Sequence, residues 1–322
     1  MKRIMVVDAL NMYFRAYIID PSLSTNGQPI GGLKGFMKIL NKLVREVSPD
    51  TVVVCWDGIG GSKKRKLVNK NYKEGRKPIR LNRSIRNLTE SEEVANKIWQ
   101  QTRLFEYINE MPIIQLVADG IEADDIIAYV SGHPLLRDWQ KVIVSSDKDF
   151  FQLLTEKTVL YRPSQGEVLN KNKIVEKYGI HPTNFALARA VSGDKSDNLS
   201  GIQGVGLSTL SKRFPFLSEE KTCEINHLVE FCKNQESNLK VYARIVEGED
   251  IIRENYKLMQ LYSPSISAQV KNKINYTLKE FTPELNKTEI RKMFIQDGIG
   301  ELNVGELFRS FRRICHDHKG QK

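Results

Sequence analysis

The chain is short of several things. No run among its 322 residues approaches the ~20 apolar residues of a membrane span, so no membrane partner is expected. The N-terminus, MKRIMVVD, lacks the long apolar region and small-residue cleavage site of a secretory signal and reads as a first strand. Cysteine is sparse: Cys55, Cys223, Cys232 and Cys315 are scattered, with no CxxC pair. That excludes a disulfide framework and makes a reduced, cytoplasmic protein the simplest reading. CHDH at 315–318 offers zinc-type donors, but it is short and terminal, and an ordinary polar tail accounts for it. Internal repeats and low-complexity tracts are missing. So is a twelve-residue calcium loop, which leaves a calcium-stabilised structural protein without support.

What is present suffices for a core. Apolar residues make up 40% of the chain, enough for one large or two smaller domains. The net charge is +10, and its location matters more than its size. Between Lys63 and Arg86 lie eleven Lys or Arg residues against one acid, Glu74, an excess equal to that of the whole chain. Lys63, Lys64, Arg65, Lys66, Lys77 and Arg80 belong to this stretch, which suits a polyanionic partner. A solvated charge run is the plainer alternative.

Five β-branched runs, Arg3–Val7, Thr51–Trp56, Ile113–Val117, Lys141–Ser145 and Thr158–Tyr161, alternate with helical patterns such as Gly32–Val47 and Val94–Ile108. Apolar strands alternating with amphipathic helices predict an α/β fold, a mainly parallel central sheet flanked by helices. The segment from Gly58 to about Asn87 has no apolar periodicity and reads as an exposed, mobile insertion. After Ser192 the strands disappear, and helices joined by turn signals are expected.

Nine carboxylates sit where strand-like runs end or helices begin: Asp8, Asp57, Glu122, Asp124, Asp125, Asp147, Asp149, Asp194 and Asp197. Each cluster has an ordinary explanation, since acids cap helices and fill turns. Asp8, Asp57 and Asp147, however, each follow a strand-like run, so all three are expected on one sheet edge, where such folds bind ligands. So many like charges brought together require cations, and Mg²⁺ or Mn²⁺ suits an all-oxygen site. The pattern points to metal-dependent phosphoryl transfer. GIQGVG, with Gly201, Gly204 and Gly206, precedes a helix expected over Leu207–Phe214. Its backbone N–H groups suit a phosphate or, with carbonyls, a monovalent ion such as K⁺.

Asp8, WDG at 56–58, NYKEGRKP at 71–78, GIEADD at 120–125, SSDKDFFQLL at 145–154 and SGDKSDNLSGIQGVG at 192–206 together resemble the ordered motif set of the 5′ nuclease family. That family comprises flap endonucleases and the 5′-exonuclease domains of bacterial DNA polymerases. The resemblance spans roughly residues 1–215. The helical remainder is similar, more loosely, to phage members such as bacteriophage T4 ribonuclease H. The resemblance implies a PIN-like 5′ nuclease core over 1–215, a basic helical arch within 58–100, a helix–three-turn–helix over 190–215 and a helical C-terminal domain over 216–322.

It also implies roles. Asp8, Asp57, Asp124 and Asp147, with Glu122 and Asp125 nearby, would surround one metal; Asp149, Asp194 and Asp197 would surround a second. Lys73 and Arg76 would clamp the scissile phosphate, and Tyr72 could stack on a base. Gly201, Gly204 and Gly206 would hold the duplex. Where the family commonly has Lys-Thr this chain has Leu207-Ser208-Thr209, so Lys212 or Arg213 would replace the lysine. The implied reaction is two-metal hydrolysis of a phosphodiester near the 5′ end of DNA or RNA–DNA: 5′-3′ exonuclease, flap endonuclease or primer-removal activity in replication. Nothing in the chain reads base edges, so little sequence preference is expected. The implied partner is a duplex with a 5′ single strand; for the C-terminal helices the sequence leaves open a partner, such as a single-strand-binding protein or sliding clamp, or a role in packing support. The chain would act as a monomer, in the host bacterial cytoplasm if it comes from a phage. The rivals are a non-cleaving branched-DNA binding protein of the same fold and a PIN-type ribonuclease.

Overall fold

A computed structural model describes residues 1–236, 239–300 and 302–319, and for 316–319 the backbone only. The CHDH segment therefore lies, beyond Cys315, outside the described side chains. Among the described residues eight strands form: β1 (Arg3–Asp8), β2 (Thr51–Cys55), β3 (Ile114–Leu116), β4 (Gln140–Val144), β5 (Thr158–Arg162), β6 (Glu167–Leu169), β7 (Gly193–Asp194) and β8 (Leu199–Ser200). The first six make one sheet in the order β3-β2-β1-β4-β5-β6, parallel except for the antiparallel β5–β6 pair. All five expected strands are present. β6 and the short β7–β8 hairpin were not expected.

The helices are α1 (Ala9–Ile19), α2 (Gly31–Val47), α3 (Lys63–Val68), α4 (Glu90–Asn109), α5 (Ala123–Ser131), α6 (Lys171–Tyr178), α7 (Pro182–Ser192) and α8 (Leu207–Arg213). A C-terminal set follows: α9 (Ile225–Lys233), α10 (Lys240–Glu247), α11 (Glu249–Met259), α12 (Ala268–Glu280), α13 (Lys287–Gln296) and α14 (Val304–Lys319). None of the helices is long and apolar enough to cross a membrane among the described residues.

Strand β1 shows how the layers arise. Its side chains alternate, so Ile4 and Val6 enter one core while Met5 and Val7 enter the other. The first core takes Ile126 of α5, Phe185 of α7, Leu228, Ile252 and Ile274. The second takes Tyr13 of α1, Phe36 of α2, Leu104 of α4, Phe294 and Phe311. Each fully buried side chain of this size contributes ~1.5–3 kcal/mol. Helices α9–α12 thus complete one face and α13–α14 the other. The expected boundary at 215/216 does not divide the packing, because both cores run across it.

Helix starts are locally encoded. Thr89 and Glu92 form a reciprocal capping box for α4. Asp8 caps α1, its Oδ1 accepting from Asn11 N at 3.2 Å.

The basic insertion is mostly exposed, as expected, but parts of it pack on the body. Within it only α3 is helical before α4 begins. Tyr72 is 3% exposed and clusters with Leu199, Leu258 and Met259, so the end of α11 forms the floor under the basic segment.

Candidate active site

Parallel pairing sets Asp8 opposite Cys55 and Val7 opposite Val144, so Asp8, Asp57 and Asp147 emerge from one carboxyl edge of the sheet. They meet, as the sequence implied, with Asp124 from the first turn of α5, in a cleft of about 530 Å³. Lys73 and Arg76 line it too. Asp8 Oδ2 accepts from Ser145 Oγ at 2.9 Å, and Asp57 Oδ1 accepts from Ala123 N at 2.7 Å, which fixes the start of α5 beside the sheet.

Among the described residues no cation pairs directly with these four carboxylates. Burial, reinforced by Asp57 and Asp147, pushes Asp8 up to about 7. Burial, then Asp147 and Asp8, pushes Asp124 well above the usual carboxylate range. Burial likewise raises Asp147, with Asp197 and Asp194 adding to it. Ser146, which also lines the cleft, has a buried Oγ with no partner. An all-oxygen wall, unneutralised acids and an orphaned hydroxyl fit a hard divalent cation. The acids form a wall and not a finished cage: among the described residues no three His, Cys, Asp or Glu side chains are grouped closely enough to hold an ion.

The other five acids are occupied by arginine and lysine. Glu122 accepts from Arg65 Nη1 at 2.6 Å, Lys73 Nζ at 2.9 Å and Tyr72 Oη at 3.2 Å. Burial opposes its charge, but Arg65 and Lys73 overcome that and hold it below the usual range. Asp125 meets the same Arg65 nitrogen at 3.1 Å, accepts from Ser265 N at 3.3 Å and lines a different cavity, beside Lys64 and Lys257. Successive helix positions diverge by ~100°, so Asp124 faces the cleft while Asp125 faces away from it. The structure thus turns Glu122 and Asp125 toward anchoring the basic segment.

Asp149 and Asp194 share Arg189, Asp149 at 3.1 Å from Nε and Asp194 bonded to Nη2. Burial and Asp147 still raise Asp149 to about 7. For Asp194, burial is outweighed by Ser196 and Arg189, which hold it low. Arg76 pairs with Asp197 through Nη2 and donates Nε to Ser196 O at 3.0 Å. Arg189 was missed in the sequence. Its only signal is a cation inside the apolar run FALARAV, just before SGD.

Lys73 has a left-handed backbone, φ 58°, a conformation strained for a residue with Cβ. Its N–H donates to Asp197 O at 2.9 Å while its ammonium holds Glu122. Base stacking by Tyr72 is contradicted in this conformation, because the ring is buried and its hydroxyl is engaged. Lys63, Lys66 and Lys77 are exposed. Lys64 donates to Ser265 O at 2.9 Å, and Arg80 pairs with Glu90 and Glu93 at 2.8 and 3.5 Å.

At the glycine turn Gly204 has φ 76°. A Cβ on Gly201 would meet Ser192 O at 2.3 Å, so only glycine fits there. Arg244 of α10 donates to Gln203 O at 3.0 Å, filling a carbonyl that a monovalent ion would use. Lys212 stands exposed on α8.

A carboxylate cleft at the carboxyl edge of a parallel sheet, faced by lysine and arginine, defines an α/β enzyme of the metal-dependent phosphoryl-transfer class. Residues 3–179 match the model of the 5′-3′ exonuclease N-terminal resolvase-like domain, and the chain belongs to that 5′ nuclease family. The 5′-3′ exonuclease of Aquifex aeolicus (strain VF5) is 28% identical over 317 residues, covering 98% of this chain and 96% of the relative. That of Buchnera aphidicola subsp. Schizaphis graminum (strain Sg) is 30% identical over 299 residues, covering 91% and 94%. The solved structure of T5 5′-exonuclease with divalent metal ions (zinc) bound superposes with a TM-score of 0.70 at 19% identity, covering 87% of this chain and 99% of that one. This last likeness is one of fold.

Proposed function

We propose that the protein hydrolyses phosphodiesters near the 5′ end of DNA or RNA–DNA, as an exonuclease and flap endonuclease that removes primers in replication. The observation that carries this reading is the gathering of Asp8, Asp57, Asp124 and Asp147, without counter-ions among the described residues, opposite Lys73 and Arg76. Those four acids would hold divalent cations, Mg²⁺ or Mn²⁺, two per site with Asp149, Asp194 and Asp197 contributing. When bound, such cations supply Lewis acidity toward the phosphate and a water of lowered pKa. A second cation there requires Arg189 and Arg76 to release their carboxylates, so that position is the weaker.

The remaining roles belong to the chain. Lys73 and Arg76 neutralise charge on the phosphate. Lys63, Lys66 and Lys77 run beside the 5′ single strand. The turn at Gly201, Gly204 and Gly206, with Lys212, holds the duplex backbone through N–H groups and charge. A K⁺ ion there would have to displace Arg244 from Gln203, and we take Arg244 as that turn's cation. The C-terminal helices serve as packing support, and the protein works as a monomer.

The test is cleavage of a 5′-flap DNA against single-stranded RNA of equal length, with and without chelator. Flap cleavage should vanish on chelation and fall ~100- to 1,000-fold in Asp147→Asn, the scale of losing one electrostatic element of a phosphoryl-transfer site. Undiminished cleavage by that variant would overturn the assignment. Faster cutting of the RNA would favour a PIN-type ribonuclease, and binding of the flap with no cutting a non-cleaving binder.

A further inference from the structure

A second cavity, about 450 Å³, opens at the amino edge of the sheet, away from the catalytic cleft. Ser131, the last residue of α5, and Lys141, the second of β4, both line it. Ser131 Oγ is buried and has no hydrogen-bond partner. Lys141 is 6% exposed, and among the described residues its ammonium makes no hydrogen bond or ion pair. The charges it feels are those of Lys157 and Asp138, which pair with each other at 2.9 Å. Burial lowers the Lys141 ammonium, with Lys157 adding to the effect.

A buried hydroxyl left without a partner needs an explanation, because it is costly unless something else satisfies it, and the largely buried Lys141 side chain lines the same cavity with its ammonium unpaired among the described residues. Arg137, exposed at the same cavity, adds a third donor group. Competing acceptors nearby are already engaged. At the end of α5, Ala128 O accepts from Gly132 N at 3.0 Å and Val130 O from His133 N at 3.2 Å. His133 accepts from Leu135 N through Nδ1, which leaves its Nε2 as the donor to Asn275 Oδ1 at 2.7 Å.

We propose that this cavity binds a phosphate-class oxyanion, with Lys141 and Ser131 at its floor and Arg137 at its mouth. Donors arriving from three separate elements suit a tetrahedral anion better than a planar carboxylate. The volume falls within the ~300–1,000 Å³ of small-ligand sites, so a phosphate monoester of nucleotide size can enter. The site is independent of the carboxylate cleft and does not rest on its assignment.

Thermal unfolding in EDTA reads this site without divalent cations. Sodium phosphate and deoxyadenosine 5′-monophosphate are compared with sodium chloride at equal ionic strength. The wild-type protein should gain about 2–4 °C from millimolar phosphate over chloride. Ser131→Ala and Lys141→Met should each unfold at or above the wild-type temperature without phosphate, since each deletes an unpartnered group. Each should bind phosphate about tenfold or more weakly. The proposal is overturned if phosphate does no more than chloride, if both variants keep the full gain, or if both are destabilised without phosphate. A short DNA duplex in EDTA identifies the source of the anion. Weaker duplex binding by Lys141→Met assigns the site to a nucleic-acid phosphate, and unchanged duplex binding assigns it to a free monoester; either supports the site.

Discussion

Two sets of acids, alike in residue type and close in space, have been given opposite surroundings. Asp8, Asp57 and Asp147 face the cleft with hydroxyl or backbone N–H partners, Asp124 lines it beside them, and none of the four pairs with a cation among the described residues. Glu122, Asp125, Asp194 and Asp197 each hold an arginine or lysine. The electrostatic result follows the partner: Asp8 and Asp124 are pushed up, Glu122 and Asp194 are held down. Asp149 is intermediate, since it has Arg189 and yet remains raised by burial and Asp147. Of these nine acids, five have an arginine or lysine from the fold, and the four of the cleft have none among the described residues.

The largest test of that contrast removes Arg189. Arg189→Met leaves Asp149 and Asp194 uncompensated in a site where the arginine side chain is 12% exposed, and should cost about 3 kcal/mol. Denaturant unfolding measures the loss, and added Mn²⁺ should recover part of it. Full stability in chelator would mean that the two sets do not differ as described.

A smaller effect comes from pH. Asp8 and Asp149 keep a proton up to about pH 7 in the fold, whereas an ordinary aspartate releases it near 3.8. Folding takes up protons between those values, so the metal-free protein loses stability as pH rises from about 4 through 7. Mg²⁺ should flatten that decline. A melting temperature in EDTA that rises over this range would contradict the cleft's electrostatics. The smallest effect belongs to an exposed pair. Arg80→Ala, which breaks the contacts with Glu90 and Glu93, should change stability by less than ~0.5 kcal/mol, and a larger shift in chemical denaturation would show that surface pairs matter more here than the contrast allows.

The sheet was legible because each strand is a short β-branched run, and burial on both faces requires such runs. Asp8, Asp57 and Asp147 were legible as a set because parallel strands of similar length end together. The pairings were not legible. Arg65 and Glu122 are 57 residues apart, and Arg189 and Asp149 are 40 apart, so only the finished fold brings them together. Glu122 and Asp125 both meet Arg65, a partner that nothing in their own segment of sequence announces. The burial of Tyr72 escaped for a similar reason, since Leu258 and Met259, which cover it, come from far along the chain. β6 is only three residues long, too short for alternation to register.

The resting place of Tyr72 has one more consequence. A chain cut after α8 would retain every acid of the cleft, yet it would forfeit the ledge that Leu258 and Met259 supply and the Leu258 carbonyl that receives Arg65. Such a fragment would own the reagents without the jig that aligns them.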